Sequence, residues 1–283
     1  MSINLATKAS DKVVEKFHKD SCTEGLFNER YNWTGVKTLQ IYTVQSPDLN
    51  NYNASAAAGV NRFGPMTELG DTMQEMSVAD DKAFNATIDK GNSSSQMMIK
   101  SASAILKQTT EEKIIPYVDK YRLAKLAAGA GGKKYSVTIT DANIISEIFA
   151  AGVAMSNAGV PKSGRVLFIG ETNAMKLKLA GVLYNSEVAA NDAIVNGTVG
   201  VIDGTQLRIV PDDYLPTGVN FMIVRKGCAV APVKVETYRV IEDDATVDGS
   251  VVQGRILHDC FVIDALKNGI YAVYSTAQPS GND

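Results

Sequence analysis

Alternation of apolar and polar positions picks out two extended segments early in the chain. The first is Val36 to Val44. The second closes in Phe84 to Ile88, with Phe84, Ala86 and Ile88 on one face and Asn85, Thr87 and Asp89 on the other. Between them, and above all from Gln45 to Gly70, Asn, Ala, Ser and Gly dominate, with Pro47, Asn50-Asn51 and Gly64-Pro65 supplying turn chemistry. The pattern predicts a two-stranded ribbon with a soft tip over residues 35–90. Two strands alone are marginal in water and need a third strand or a helix to cover them. The neighbouring sequence offers no such cover, so another copy of the protein is expected to supply it. That points to assembly rather than catalysis.

The period then changes. Ser93-Ser94-Ser95 offers helix N-caps, and Met98, Ala102, Ile105 and Leu106 follow at helical spacing. Thr109 and Glu112, three apart, read as a second capping box. Pro116 lacks a backbone donor and crowds the carbonyl four residues earlier, so a kink near 112–116, or two helices end to end, is expected. Ala127 to Gly132 is a helix stop. From Tyr135 the chain reads as α/β. The expected elements are a strand at Ser136–Ile139, a helix from Ala142 to about Met155 capped by Thr140-Asp141, a strand at Gly164–Ile169, and helices at Glu171–Ala180 and Glu187–Val195. Asp203-Gly204 between extended runs predicts a type I′ hairpin over 199–210. Later strands are expected at Phe221–Val224, Val233–Ile241, Val251–Ile263 and Ile270–Tyr274, with an acidic turn at 242–249. Residues 1–34 read as an arm with short helical periodicity at Val13, Val14 and Phe17, and 278–283 as a loose tail.

Composition narrows the function classes. A chain of 283 residues holds one large or two modest domains, and 45% hydrophobic with 21% charged content is ordinary for a folded soluble protein. A net charge of -3 argues against a dedicated nucleic-acid binder, which carries a basic face, although not against a container whose wall tolerates nucleic acid. Met1 to Lys8 has no apolar run of signal-peptide length, and no run reaches the ~18 residues needed to span a bilayer. A cytoplasmic site of synthesis is the expectation, under which triplets such as Asn32-Trp33-Thr34 and Asn196-Gly197-Thr198 carry no glycan. Cys22, Cys228 and Cys260 are odd in number, widely spaced and without a Cys-x-x-Cys, and read as small buried hydrophobes.

Candidate chemistry is sparse. The chain has two histidines. His18 and Cys22 would share a helix face, but no third group orients them as a nucleophile pair. His258 and Cys260 would share a strand face, two ligands short of a metal site. Gly129-Ala130-Gly131-Gly132-Lys133-Lys134 resembles a phosphate loop but fails its spacing, because Ala127 stands where a glycine must open it and a strand, not a helix, follows Lys134. Asp244 to Gly249 partly matches a calcium loop, with Arg255 where the bidentate glutamate belongs. Glu111-Glu112, Asp80-Asp81 and Asp212-Asp213 read as caps or solvated faces. No catalytic, cofactor-binding or metal-binding residue is assigned.

The order of parts resembles the major capsid protein of tailed bacteriophages, the Hong Kong phage-type capsid fold. The resemblance spans nearly the whole chain. It is carried by Ile88-Asp89-Lys90-Gly91-Asn92, Ile114-Ile115-Pro116-Tyr117-Val118-Asp119-Lys120-Tyr121-Arg122, Gly164-Arg165-Val166, Val201-Ile202-Asp203-Gly204, Val230-Ala231-Pro232-Val233-Lys234 and Gly254-Arg255-Ile256 taken together. It implies an α+β fold. Residues 1–34 would be an N-terminal arm, 35–90 an extended loop lying over a neighbouring subunit, and 91–132 the spine helix of a peripheral domain. Residues 133–224 would be an axial α/β domain, and 225–283 the strands returning to the peripheral domain, with the tail. It further implies a structural, non-enzymatic protein assembling as pentamers and hexamers into the icosahedral head shell around a packaged genome. The implied partners are a separate scaffolding protein, a portal, a decoration protein and DNA held non-specifically, with no membrane. The implied location is the virion, after assembly in the host cytoplasm. Some relatives cross-link lysine to asparagine, for which Lys82 and Lys90 are candidate lysines. Two rivals stay open: a host-encoded protein-shell compartment of the same fold, and an α/β enzyme or ligand-binding domain centred on 135–225.

Overall fold

The computed structural model describes residues 21–31, 38–89 (except 56, 58, 60 and 67), 102–180, 200–242 and 248–277. The expected helices at Val13–Phe17 and Glu187–Val195, the caps at Ser93–Ser95, most of the acidic turn and the tail from 278 lie outside these residues. In chain order the strands are β1 (Thr38–Val44), β2 (Asp71–Ser77), β3 (Asp80–Asp89), β4 (Gly132–Lys134), β5 (Arg165–Gly170), β6 (Val201–Ile202), β7 (Thr205–Val210), β8 (Val219–Arg225), β9 (Ala229–Val230), β10 (Val233–Glu242), β11 (Gly249–His258), β12 (Phe261–Val262) and β13 (Ile270–Tyr274). The helices are α1 (Ala102–Thr109), α2 (Ile115–Ala128), α3 (Ile144–Asn157) and α4 (Glu171–Leu179). Contacts divide the chain into two units, Trp33–Ser77 and a larger one made of Met1–Asn32 with Val78–Asp283.

The larger unit is built on a mixed six-stranded sheet in the order β4-β13-β8-β5-β7-β6. Every residue of β5 is buried, as the apolar run Val166–Ile169 requires of a strand covered on both faces. Val166 and Phe168 join one core with Met222 and Val224, while Leu167 and Ile169 join the other with Phe221 and Ile223. α2 covers the first face through Leu123, Leu126 and Ala127. α3 and α4 cover the second through Ile144, Ile148, Met155, Ala174 and Leu177. The buried Arg165 guanidinium ties the end of α3 to β5, donating to the carbonyls of Gly152, Val160 and Pro161 and to Ser156 Oγ. Asp203 (φ 47°) and Gly204 (φ 75°) both take the left-handed conformation, the type I′ turn expected between β6 and β7.

A second, antiparallel sheet of the same unit runs β10-β11-β3. α1 and α2 are joined by a π-helical turn at Thr110–Ile114, with Ile115 N–H donating to Thr110 O. The interruption expected near Pro116 is therefore present, in the form of a widened turn that re-routes the backbone bonds just before the residue that cannot donate.

Four expectations are corrected. The ribbon closes at Ser77: β1 pairs with β2, from Thr38↔Ser77 to Val44↔Asp71, and β3 belongs instead to the sheet with β11. Alternation fixes which face of β3 is buried but not its partner. Thr109 caps nothing; it lies in continuous helix, and its hydroxyl, like that of Thr110, bonds back to the carbonyl four residues earlier. The strand expected at Ser136–Ile139 forms four to five residues earlier, as β4, because Ser136 takes φ 59° and breaks the extended run. Finally, β13 does not return to the sheet of β10 and β11. It is an interior strand of the six-stranded sheet, between β4 and β8, and its Ile270, Ala272 and Val273 fill the cores on both sides.

Candidate assembly surfaces and the polar seam of the helix

The smaller unit places large apolar side chains in solvent. Tyr42 and Met73 face each other across the β1–β2 ladder, 60% and 53% exposed. Val44 lies on the same face. Beyond the ladder, Leu49, Phe63 and Met66 are 101%, 76% and 91% exposed. The tip is held by local bonds: Gln45 N–H donates to Gly70 O (2.9 Å), Asn53 N–H to Arg62 O (3.0 Å), and Tyr52 meets Phe63 edge-on at 5.1 Å. From Thr38 to Ser77 the chain carries Asp48, Glu68, Asp71 and Glu75 against Arg62 alone. So many exposed large apolar groups within 38–77 mark an interaction surface.

The larger unit carries a groove of about 380 Å³ between the π-helical turn and the second sheet. Its walls are Phe84 of β3, Ile256 of β11, and Ile114 and Tyr117 of the helix, with Lys82, Lys113 and Arg255 also lining it. Gly254 makes the floor possible. A Cβ there would meet Phe84 at 2.2 Å and Tyr238 at 2.8 Å, whereas glycine lets these two rings lie across β11 from its two neighbours. Arg255 is held in place by a two-pronged ion pair with Asp81 (3.0 and 2.6 Å).

α2 presents a buried carboxylate to the N-terminal segment. Asp119, 0% exposed, accepts from Ser21 Oγ (2.8 Å), Cys22 N–H (2.8 Å) and Thr23 Oγ1 (2.7 Å). Arg122 donates to Thr23 Oγ1, and Arg208 to the carbonyls of Cys22 and Glu24. Leu26 then enters the first core, and Asn28 N–H bonds to Ala229 O. Residues 21–28 are thus part of the body of the larger unit. The sequence carried a signal for this: Asp119, Leu123 and Leu126 stand at i, i+4 and i+7, an acid on the buried stripe.

A polar seam joins α2 to the second sheet. His258, at the end of β11 and directly opposite Asp80 in the ladder, is fully buried with Nε2 3.0 Å from Asp80 Oδ2. Despite that distance, neither ring nitrogen makes a well-formed hydrogen bond. Tyr117 and Tyr121 stand edge-on to the imidazole at 6.0 and 5.1 Å. Tyr117 donates to Asp80 and Tyr121 to Asp259 Oδ1 (2.8 Å), which also accepts from Cys260 N–H, while Asp259 Oδ2 accepts from Ala79 N–H. Burial lowers the imidazole pKa below its ordinary 6.5, with Asp80 pulling the other way.

The other residues weighed in the sequence fall as follows. His18 and Lys90 lie outside the described residues. Cys260 sits past the end of β11 and does not share a strand face with His258. Asp80 is no solvated charge but half-buried in the seam, whereas Asp212 caps α4 by accepting from Thr172. Gly129 ends α2, Lys133 bonds back to Ala128 O, and Lys134 pairs with Glu147. Among the described residues no cluster of three or more His, Cys, Asp or Glu is placed to hold a metal, and no helix is long and apolar enough to cross a membrane. Burial raises all three thiols, Cys260 to about 12. Because the thiolate is the nucleophile, Cys228 and Cys260 are expected to stay unreactive toward a disulfide reagent near pH 8 in the native chain. All three cysteines should react in denaturant, and rapid native labelling of either buried thiol would contradict the burial.

No family model and no curated protein matches the chain. Solved structures do match, along its full length. A chain of Mycobacterium phage Che8 is 17% identical with TM-score 0.76, covering 98% of this chain and 100% of that one. A chain in the capsid structure of cyanophage P-SCSP1u is 15% identical with TM-score 0.77, covering 97% and 94%. One from the mature capsid of bacteriophage PhiM1 is 10% identical with TM-score 0.71, covering 96% and 92%. The chain has the fold of these phage capsid structures, mixed in helix and strand.

Proposed function

We propose that this chain is the major capsid protein of a tailed bacteriophage, self-assembling into the icosahedral head shell that encloses the genome. The observation that carries the reading is the end-to-end match to chains from phage capsids combined with a ribbon, residues 38–77, that leaves Tyr42, Leu49, Phe63, Met66 and Met73 exposed. On this reading the protein is structural and not an enzyme, and its residence is the virion. Its first partner is a second copy of itself, in pentamers and hexamers. A scaffolding protein, a portal, a decoration protein and non-specifically held DNA are the further partners that the resemblance implies.

The parts take their roles accordingly. Residues 38–77 act as the extended loop over a neighbouring subunit. The continuous helix through α1, the π-helical turn and α2 acts as the spine. The six-stranded sheet with α3 and α4 acts as the axial domain, and β3-β11-β10 as the peripheral sheet. Closed assembly buries the ribbon's open edges. The matched structures come from phages and phage capsids, which favours the genome container over a host compartment.

The test is sedimentation and electron microscopy of the freshly expressed chain, alone and co-expressed with its scaffold. Pentamers, hexamers or closed shells far above 30.3 kDa are expected. A protein that stays monomeric at high concentration in both preparations would refute the reading.

A further inference from the structure

The seam between α2 and the second sheet holds the one histidine among the described residues, and no role in assembly accounts for its setting. We propose that His258 is a proton-operated latch, closing α2 onto β3 and β11 when neutral and releasing it when an imidazolium forms. This goes beyond the assembly reading and does not depend on it.

The geometry leaves the neutral ring enclosed. His258 is 0% exposed, walled by the Tyr117 and Tyr121 rings. From β3 it faces Asp80 and Lys82; from α2 it faces Arg122, Tyr117 and Tyr121; beyond β11 it faces Asp259. Two of these groups are cations that oppose a new positive charge. The two carboxylates that could balance it are engaged already. Asp80 accepts the Tyr117 hydroxyl and lies 3.5 Å from Lys82 Nζ. Asp259 accepts Tyr121 and two backbone N–H groups and lies 3.8 Å from Lys125 Nζ.

An imidazolium in this place has two outlets. It can turn to bond Asp80 squarely, in competition with the Tyr117 hydroxyl and Lys82 for the same carboxylate, or it can reach water, which requires the tyrosine rings to part. Both loosen the contact of α2 with the sheet. Tyr117 also lines the groove beside the π-helical turn, so the groove wall moves with the latch.

The sign follows from the depressed pKa. The folded site favours the neutral ring, so its contribution is complete above the unfolded value of 6.5 and is lost as pH falls from there toward the lower folded value. Inside that window each unit of acidification raises the open population about tenfold. The chain must respond in α2 and β3 together, since both contribute to the seam.

The experiment is hydrogen exchange on the full chain over 80–89 and 115–128, from about pH 7.5 to about pH 5.5. It compares the wild type with His258→Gln, which cannot take the proton. Protection factors in both segments should fall by about tenfold per unit below pH 6.5 in the wild type and stay flat in the variant. Equal pH dependence in the two proteins would overturn the latch. A direct titration keeps the proposal falsifiable where the variant does not fold. His18 is the only other histidine, so the two imidazole resonances are separable with His18→Gln. A His258 midpoint below 6.5 supports the latch, and one at or above 6.5 sinks it.

Discussion

Replacing residues 46–69 by a short Gly-Ser turn is expected to leave the larger unit folded and to abolish robust assembly. The geometry allows the excision. Gln45 and Gly70 already sit across from each other, joined by a 2.9 Å backbone bond, so a tight turn can close the β1–β2 ladder at that point. What leaves is solvent-facing, including Leu49, Phe63 and Met66. Changes confined to such a surface cost the subunit within about 0.5 kcal/mol. Assembly loses much more. Each subunit contact weakened by about 1.4 kcal/mol binds about tenfold less tightly, and a closed shell repeats the loss at every copy. Thermal unfolding of the isolated subunit beside particle yield separates the outcomes. A variant subunit that unfolds would place 46–69 in its own core. Particles of normal yield and robustness would remove the ribbon from assembly altogether.

Asp119→Ala is expected to be the most destabilising single change in the larger unit. The substitution strands the Ser21 and Thr23 hydroxyls and the Cys22 N–H, and removes the carboxylate beside the mostly buried Arg122. Breaking a buried charged network by removing one partner costs about 3–5 kcal/mol. Against a total stability of about 5–15 kcal/mol that is a large fraction. In a domain of this size it corresponds to a drop in Tm on the order of 10 °C. Asp119→Asn should fall between, because one amide oxygen still accepts the hydroxyls while its NH2 group confronts the Cys22 N–H. The urea midpoint gives the stability, and chymotryptic cleavage after Phe27 reports whether 21–28 has come loose. An unchanged midpoint with Phe27 still protected would mean that the socket orders the segment without stabilising it.

Both experiments bear on surfaces that differed in how visible they were beforehand. The exposed ribbon could be inferred because its apolar residues are diluted among turn formers, and such a stretch has no means of building its own core. The buried anchor could not, because a single aspartate on a helix stripe looks like an impurity until the segment that supplies its donors, 96–98 residues away, is brought against it. His258 has the same history. Its spacing to Cys260 raised a metal question, while its actual neighbours are Asp80 from β3 and two tyrosines from α2.

Local chemistry settled the elements. The apolar run Val166–Ile169 could only be a strand buried on both faces, Asp203-Gly204 could only turn with both residues left-handed, and a helix running into Pro116 had to break its bonding pattern nearby. Each of these is enforced by backbone sterics or burial within a few residues, so the sequence alone determined them. Pairing was decided elsewhere. β3 has the same alternation whether it lies beside β1 or β11, and β13 fits either sheet by composition. The choice depends on which partner strand leaves both faces covered, and that is a property of the assembled tertiary structure.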